Sequence, residues 1–197
     1  MKKILIVLIV LTSLSCKSQI IPQNNAYVDI PEGAYIKDTQ NFLDNFVGTW
    51  QYQNGNEQFT IKLYKELHHQ FTSWYEDILY GEYQYIDANG TNIINTIPNL
   101  NINYSSKLYH QIAGATSLAR LLYHPCPECS IGEYRIKCFF SDPDREYQNL
   151  AIVLRSISPT QISVKVFREE KSTFFNNDFD APDDLRIPAA NYIMNKI

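Results

Sequence analysis

The run His124-Pro125-Cys126-Pro127-Glu128-Cys129, followed by Cys138, is the densest group of metal- or redox-competent side chains in the chain. Thiolates and an imidazole at this spacing suit a tetrahedral zinc site, which takes sulfur and nitrogen ligands. The same Cys-x-x-Cys pair can close a disulfide in an oxidising compartment and leave one thiol over. It can also cycle between dithiol and disulfide, although no helix is predicted here whose N-terminus would lower a thiol pKa. A structural disulfide with a spare thiol is the plainest of the three, and no cofactor is implied unless zinc binds. His68 and His69 are adjacent, so a strand would point them to opposite faces, and both are read as surface residues. Asp142 and Asp144 flank Pro143, where carboxylates cap the N–H groups of a turn, and calcium would need more oxygens than these. No Gly-x-Ser-x-Gly elbow, phosphate loop or carboxylate pair supplies a nucleophile or an acid–base couple, so the sequence points away from an enzyme.

The elements that must hold these residues are strands. Phe59, Ile61 and Leu63 alternate with polar neighbours after an Asn54-Gly55 turn, and Tyr83 and Tyr85 lead to a second turn at Asn89-Gly90. Alternation returns at Tyr134, Ile136, Cys138 and Phe140, at Leu150, Ile152 and Leu154, and at Ile162, Val164 and Val166. No stretch of the body carries a helical stripe. The expectation is an all-β single domain over residues 41–197, an antiparallel up-and-down barrel. Its 14 Tyr, 10 Phe and 2 Trp either fill the core or line a pocket for a small apolar or amphipathic ligand. The formal net charge of -4 and the absence of any basic run exclude a nucleic-acid partner.

The beginning of the chain is written differently. Lys2 and Lys3 precede an apolar run over residues 4–11, which is a signal-peptide layout and is well short of the roughly twenty residues that span a bilayer. Leu14-Ser15-Cys16 resembles the lipobox of bacterial lipoproteins, with Ser13 departing from the usual Leu. That resemblance implies a signal peptide over residues 1–15 and a lipidated Cys16, anchored in a bilayer by two or more acyl chains. Lys17, standing where such proteins carry an inner-membrane Asp, implies the outer membrane. Residues 16–40, polar and broken by Pro22 and Pro31, read as the lipidated Cys and a flexible tether.

Phe46-Val47-Gly48-Thr49-Trp50 resembles the Gly-x-Trp motif of lipocalins and related calycin barrels. The resemblance implies a short helical turn entering the first barrel strand, with Trp50 packed across the closed end and Gly48 allowing close approach. It also implies an Arg on a late strand above the Trp, for which Arg155 and Arg168 are the candidates. The chain as a whole resembles uncharacterised Gram-negative lipoproteins classed as domains of unknown function, through Ser15-Cys16-Lys17, Gly48-Thr49-Trp50 and Gly81-Glu82-Tyr83. What this implies is a membrane-anchored barrel, possible partners being a small apolar ligand or other envelope proteins. A structural or interaction subunit of an envelope complex is the alternative, and a zinc-containing or enzymatic lipoprotein the third.

Overall fold

The computed structural model of the chain describes residues 19–24, 29–119, 125–169, 182 and 184–197. The expected signal peptide, Cys16 and His124 lie outside the described residues. Among the described residues no helix is long and apolar enough to cross a membrane.

Two short strands come first, β1 (Ile20–Pro22) and β2 (Tyr35–Lys37). A 3-10 turn over Phe42–Phe46 then enters β3 (Gly48–Asn54), β4 (Glu57–Gln70) and β5 (Tyr75–Ile86). After β6 (Asn92–Asn95) and two further 3-10 turns come β7 (Ile112–Ala119), β8 (Tyr134–Phe140), β9 (Leu150–Ser158), β10 (Gln161–Arg168) and β11 (Asn191–Lys196). Strands β3, β4, β5, β7, β8, β9, β10 and β11 pair in that order, every pair antiparallel, and Lys196 opposite Trp50 joins the last strand to the first. The result is the closed eight-stranded up-and-down barrel that the alternation predicts. The turns fall where expected, with Gly55 at φ 61° and Gly90 at φ 82°, backbone that glycine adopts without a Cβ penalty.

The lumen is packed with rings. Phe59 on β4 lies 5.0 Å from Tyr192 on β11, 6.1 Å from both Tyr83 and Tyr85 on β5, and 6.3 Å from Phe140 on β8. Rings from four strands around the wall thus meet across the barrel, mostly edge to face, the arrangement their quadrupoles favour. One end is floored by Trp50, whose indole Nε1 donates to Phe46 O at 2.7 Å. The ammonium of Lys196 sits 5.1 Å above the Trp50 ring. This corrects the expectation of Arg155 or Arg168: Arg155 pairs with Glu133 at 2.7 Å, and Arg168 lies at the far end of β10 from the Trp50 level. Gly48 makes room for the lysine, since a Cβ there would come within 2.7 Å of Lys196 Cε.

The segment expected to be a free tether is, over its described residues, part of the folded body. Strands β1 and β2 pair in parallel, and β2 pairs in parallel with β5 through Tyr35 opposite Tyr75. Two buried carboxylates fasten this strap. Asp77 accepts from Tyr35 Oη at 2.6 Å, Asp38 N at 3.0 Å and His68 N at 2.9 Å, while Asp38 accepts from Phe42 N, Leu43 N and Lys65 Nζ. Three-residue strands are too short to show a period of two, so residues 20–37 carry no strand signal that could be read in advance.

Candidate functional site

The predicted cysteine cluster is divided by the fold. Cys126 and Cys129 form a disulfide in the loop before β8, with Cα atoms 5.4 Å apart. Cys138 points into the lumen from β8, where its thiol donates to Gly114 O at 3.2 Å and burial raises its pKa far above the usual thiol value. A thiol so placed is neither a ready nucleophile nor a ready metal ligand. Among the described residues no group of three or more His, Cys, Asp or Glu converges on a common point. Near the floor, a cavity of about 20 Å³ between Gln23, Asp38, Phe42, Ser117 and Tyr134 has room for about one water.

Ionisable chemistry collects instead on the outer wall of β4 and β5. A regular strand would put Glu66 and His69, three residues apart, on opposite faces. Here the β4–β5 register shifts between these two residues, with His68 in the left-handed region at φ 57°. The bulge returns His69 to the face of Glu66, and its Nδ1 lies 3.1 Å from Glu66 Oε1. His68 is turned aside, stacked 4.0 Å from the Tyr75 ring. His69 is 6 % exposed, which corrects its reading as a surface residue.

The crossover from β5 to β7, residues 87–111, covers this wall. Thr96 holds its start, accepting from Tyr83 N and donating to Tyr83 O, both at 3.1 Å. Further along, Ser106 Oγ lies 3.4 Å from His69 Nε2 while accepting from Leu108 N at 3.2 Å. Ser106, His69 and Glu66 therefore form a continuous hydroxyl–imidazole–carboxylate relay, with each imidazole nitrogen committed to a different neighbour. The arrangement is capable of holding the imidazole in one tautomer and drawing a proton from the serine.

A second pair lies higher on the same wall. Glu82 Oε1 and His110 Nδ1 are 2.8 Å apart, with the glutamate fully buried and the histidine nearly so. Glu82 Oε2 and His110 Nε2 are buried without a hydrogen-bond partner. The His110 ring is bracketed by Tyr80 at 5.0 Å and Tyr104 at 4.9 Å. Tyr80 links the two groups: it stacks 5.6 Å from Tyr64, Lys107 Nζ sits 5.2 Å above its ring, and its pKa is raised by burial and then by the charge of Glu66. Glu76, paired with His69 across the strands, has its pKa raised to about 7, chiefly by burial and further by Asp77, against the hydrogen bonds of Trp74 and Gln23.

None of Glu66, Ser106, Glu82 or His110 is conspicuous as a site in the sequence, since Glu82 and His110 are 28 positions apart and Ser106 and His69 are 37. The one local signal is His68-His69, because His tolerates positive φ several-fold better than most residues and so suits a bulge.

A family model described as a family of unknown function, DUF6705, matches residues 1–197, and the chain belongs to that family. No curated protein and no solved structure matches it.

Proposed function

We propose, for this member of a family of unknown function, an exported protein held to the bacterial outer membrane through an acylated Cys16 and working at the outer wall of its barrel, not in its lumen. The address rests on the Lys2-Lys3 and apolar leader and on Leu14-Ser15-Cys16. The observation that carries the choice of surface is Phe59, whose ring meets rings from β5, β8 and β11 across the lumen. A small apolar or amphipathic ligand inside the barrel would have to displace that cluster, whereas the outer wall presents half-buried polar groups beside exposed apolar side chains such as Tyr109, 62 % exposed. Pockets that fix a ligand's orientation combine those two kinds of surface.

A second reading, docking to another envelope protein, is favoured by Phe139 on β8 and Ile131 before it, both largely exposed. Native mass spectrometry of the protein taken from its own envelope tests the proposal. The intact mass should carry a diacylglyceryl-type increment that Cys16→Ser removes, together with release from the membrane fraction. Any small molecule that copurifies should survive Phe59→Trp and be lost with Tyr109→Ala. Loss with Phe59→Trp alone would return the site to the lumen.

A further inference from the structure

The relay on the outer wall has the connectivity of a hydrolytic serine site, and we propose that Ser106 is a nucleophile that cleaves carboxylic esters, with His69 as its general base and Glu66 as the residue that positions the imidazole. This rests on the outer-wall reading above and names the chemistry of that same face. Three observations support it together. His69 Nε2 faces Ser106 Oγ at 3.4 Å, and Nδ1 faces Glu66 Oε1 at 3.1 Å, so the nitrogen that must accept the serine proton is the one left free by the carboxylate. Ser106 Oγ already accepts from Leu108 N at 3.2 Å, which leaves its own proton to point at the imidazole. The alignment depends on a bulge with a left-handed His68, an arrangement that a strand adopts at a backbone cost and that re-aims one side chain.

In the reaction, Ser106 Oγ bonds to the ester carbonyl carbon as its proton passes to His69 Nε2. The carbon–oxygen bond to the alcohol then breaks, and His69 returns the proton to the departing alkoxide. Water repeats the sequence on the acyl-serine, giving up one proton to His69 and releasing the carboxylic acid with the serine restored. Lys107, the next residue, brings a positive charge to the wall on which the negative oxygen develops. The surroundings set the substrate class. The Phe71 ring lies 5.2 Å from His69 and is stacked on Trp74 at 5.1 Å, and Leu67 beside the bulge is 64 % exposed. An ester with an uncharged, apolar acyl group fits that setting better than a charged one.

The test uses the full-length protein processed in its host. A fluorophosphonate probe should add one adduct on the peptide bearing Ser106, and p-nitrophenyl butyrate should be hydrolysed, with both lost in Ser106→Ala and reduced at least a hundredfold in His69→Gln. Glu66→Gln should lower kcat about tenfold with KM unchanged, and Glu66→Asp should restore part of that loss; a purely structural tie would instead lower stability and leave kcat and KM of the folded protein unchanged. Ser106 also caps a turn, so Ser106→Cys serves as the second variant. Its thiol should react with iodoacetamide at least tenfold faster than the same thiol in a His69→Gln background. An unlabelled Ser106 in folded protein, or hydrolysis unchanged in Ser106→Ala, overturns the ester chemistry. The outer-wall reading fails separately, on loss of a copurifying molecule with Phe59→Trp.

Discussion

The lumen of the barrel and the outer wall of β4 and β5 are both buried, and they are buried on opposite terms. In the lumen, hydrocarbon and aromatic rings interlock around Phe59, and the phenolic groups reach out to partners: Tyr83 Oη donates to Ser141 O, Tyr85 Oη to Glu57 and Tyr192 Oη to Pro188 O. Under the crossover, carboxylates and imidazoles are withdrawn from water with some of their atoms unpaired. The first arrangement earns stability from area removed from water, at about 25 cal/mol per Å² of apolar surface. The second offsets part of it, because a buried polar atom without a partner costs about 1–3 kcal/mol. On this wall that cost falls on Glu66 Oε2, Glu82 Oε2 and His110 Nε2, whereas the phenolic hydroxyls of Tyr83, Tyr85 and Tyr192 at the lumen all find partners.

Three sets of substitutions sharpen or break this contrast. Phe59→Ala should have the largest effect, destabilising the protein by about 3–5 kcal/mol in urea unfolding, because it empties the point where rings from four strands meet. A loss under 1 kcal/mol would show that the lumen is not the stabilising region. Next, Glu82→Ala or His110→Ala should each cost up to about 3 kcal/mol by leaving the other polar side chain buried without its hydrogen-bond partner. The apolar double variant Glu82→Leu, His110→Phe should recover most of that loss. Were the double variant as unstable as the sum of the singles, the pair would be a net contributor to the fold and the contrast would fall.

The smallest effect is expected at Glu76 and depends on pH. Its folded pKa, about 7, lies above the ordinary carboxylate value, so the folded state holds a proton that the unfolded state has released between those two values. Stability contributed by the protonated form is complete below the ordinary value and falls as pH rises through 7. Glu76→Gln should therefore raise stability by on the order of 2 kcal/mol at pH 8 and change it little at pH 4. Equal effects at both pH values would place the cause outside the ionisation of this carboxyl.

The barrel is legible in the sequence and the outer wall is not, for reasons visible in particular residues. Strands such as β8 and β10 are long enough for Ile136, Cys138, Phe140 and for Ile162, Val164, Val166 to display the period of two that one buried face imposes. Gly48 and Trp50 lie on the first barrel strand, and the cation over the indole is a lysine, because the register of the final strand brings Lys196 opposite Trp50. Glu66 and His69 were hidden by the bulge between them, which breaks the very alternation used to assign faces. Ser106, Glu82 and His110 come together only through a crossover whose course no local pattern encodes. The strap leaves no mark in the sequence because a buried Asp38 or Asp77 looks there like any other aspartate; their partners are mostly backbone N–H groups brought there by folding.

Strand β5 has one edge occupied throughout by β4, and its other edge is divided among three neighbours: β2 at Tyr75 and Glu76, β7 from Leu79 to Gly81, and β6 from Gln84 to Ile86. Gly81 sits at the middle of this shared edge, where a Cβ would come within 2.1 Å of Lys62 O. The β5–β7 seam of the barrel wall, the strap strand β2 and the crossover strand β6 thus all pair with the same edge of one strand. The described body should open as one cooperative unit, and the keystone of that unit is a twelve-residue strand with no tolerance for a methyl group at its centre.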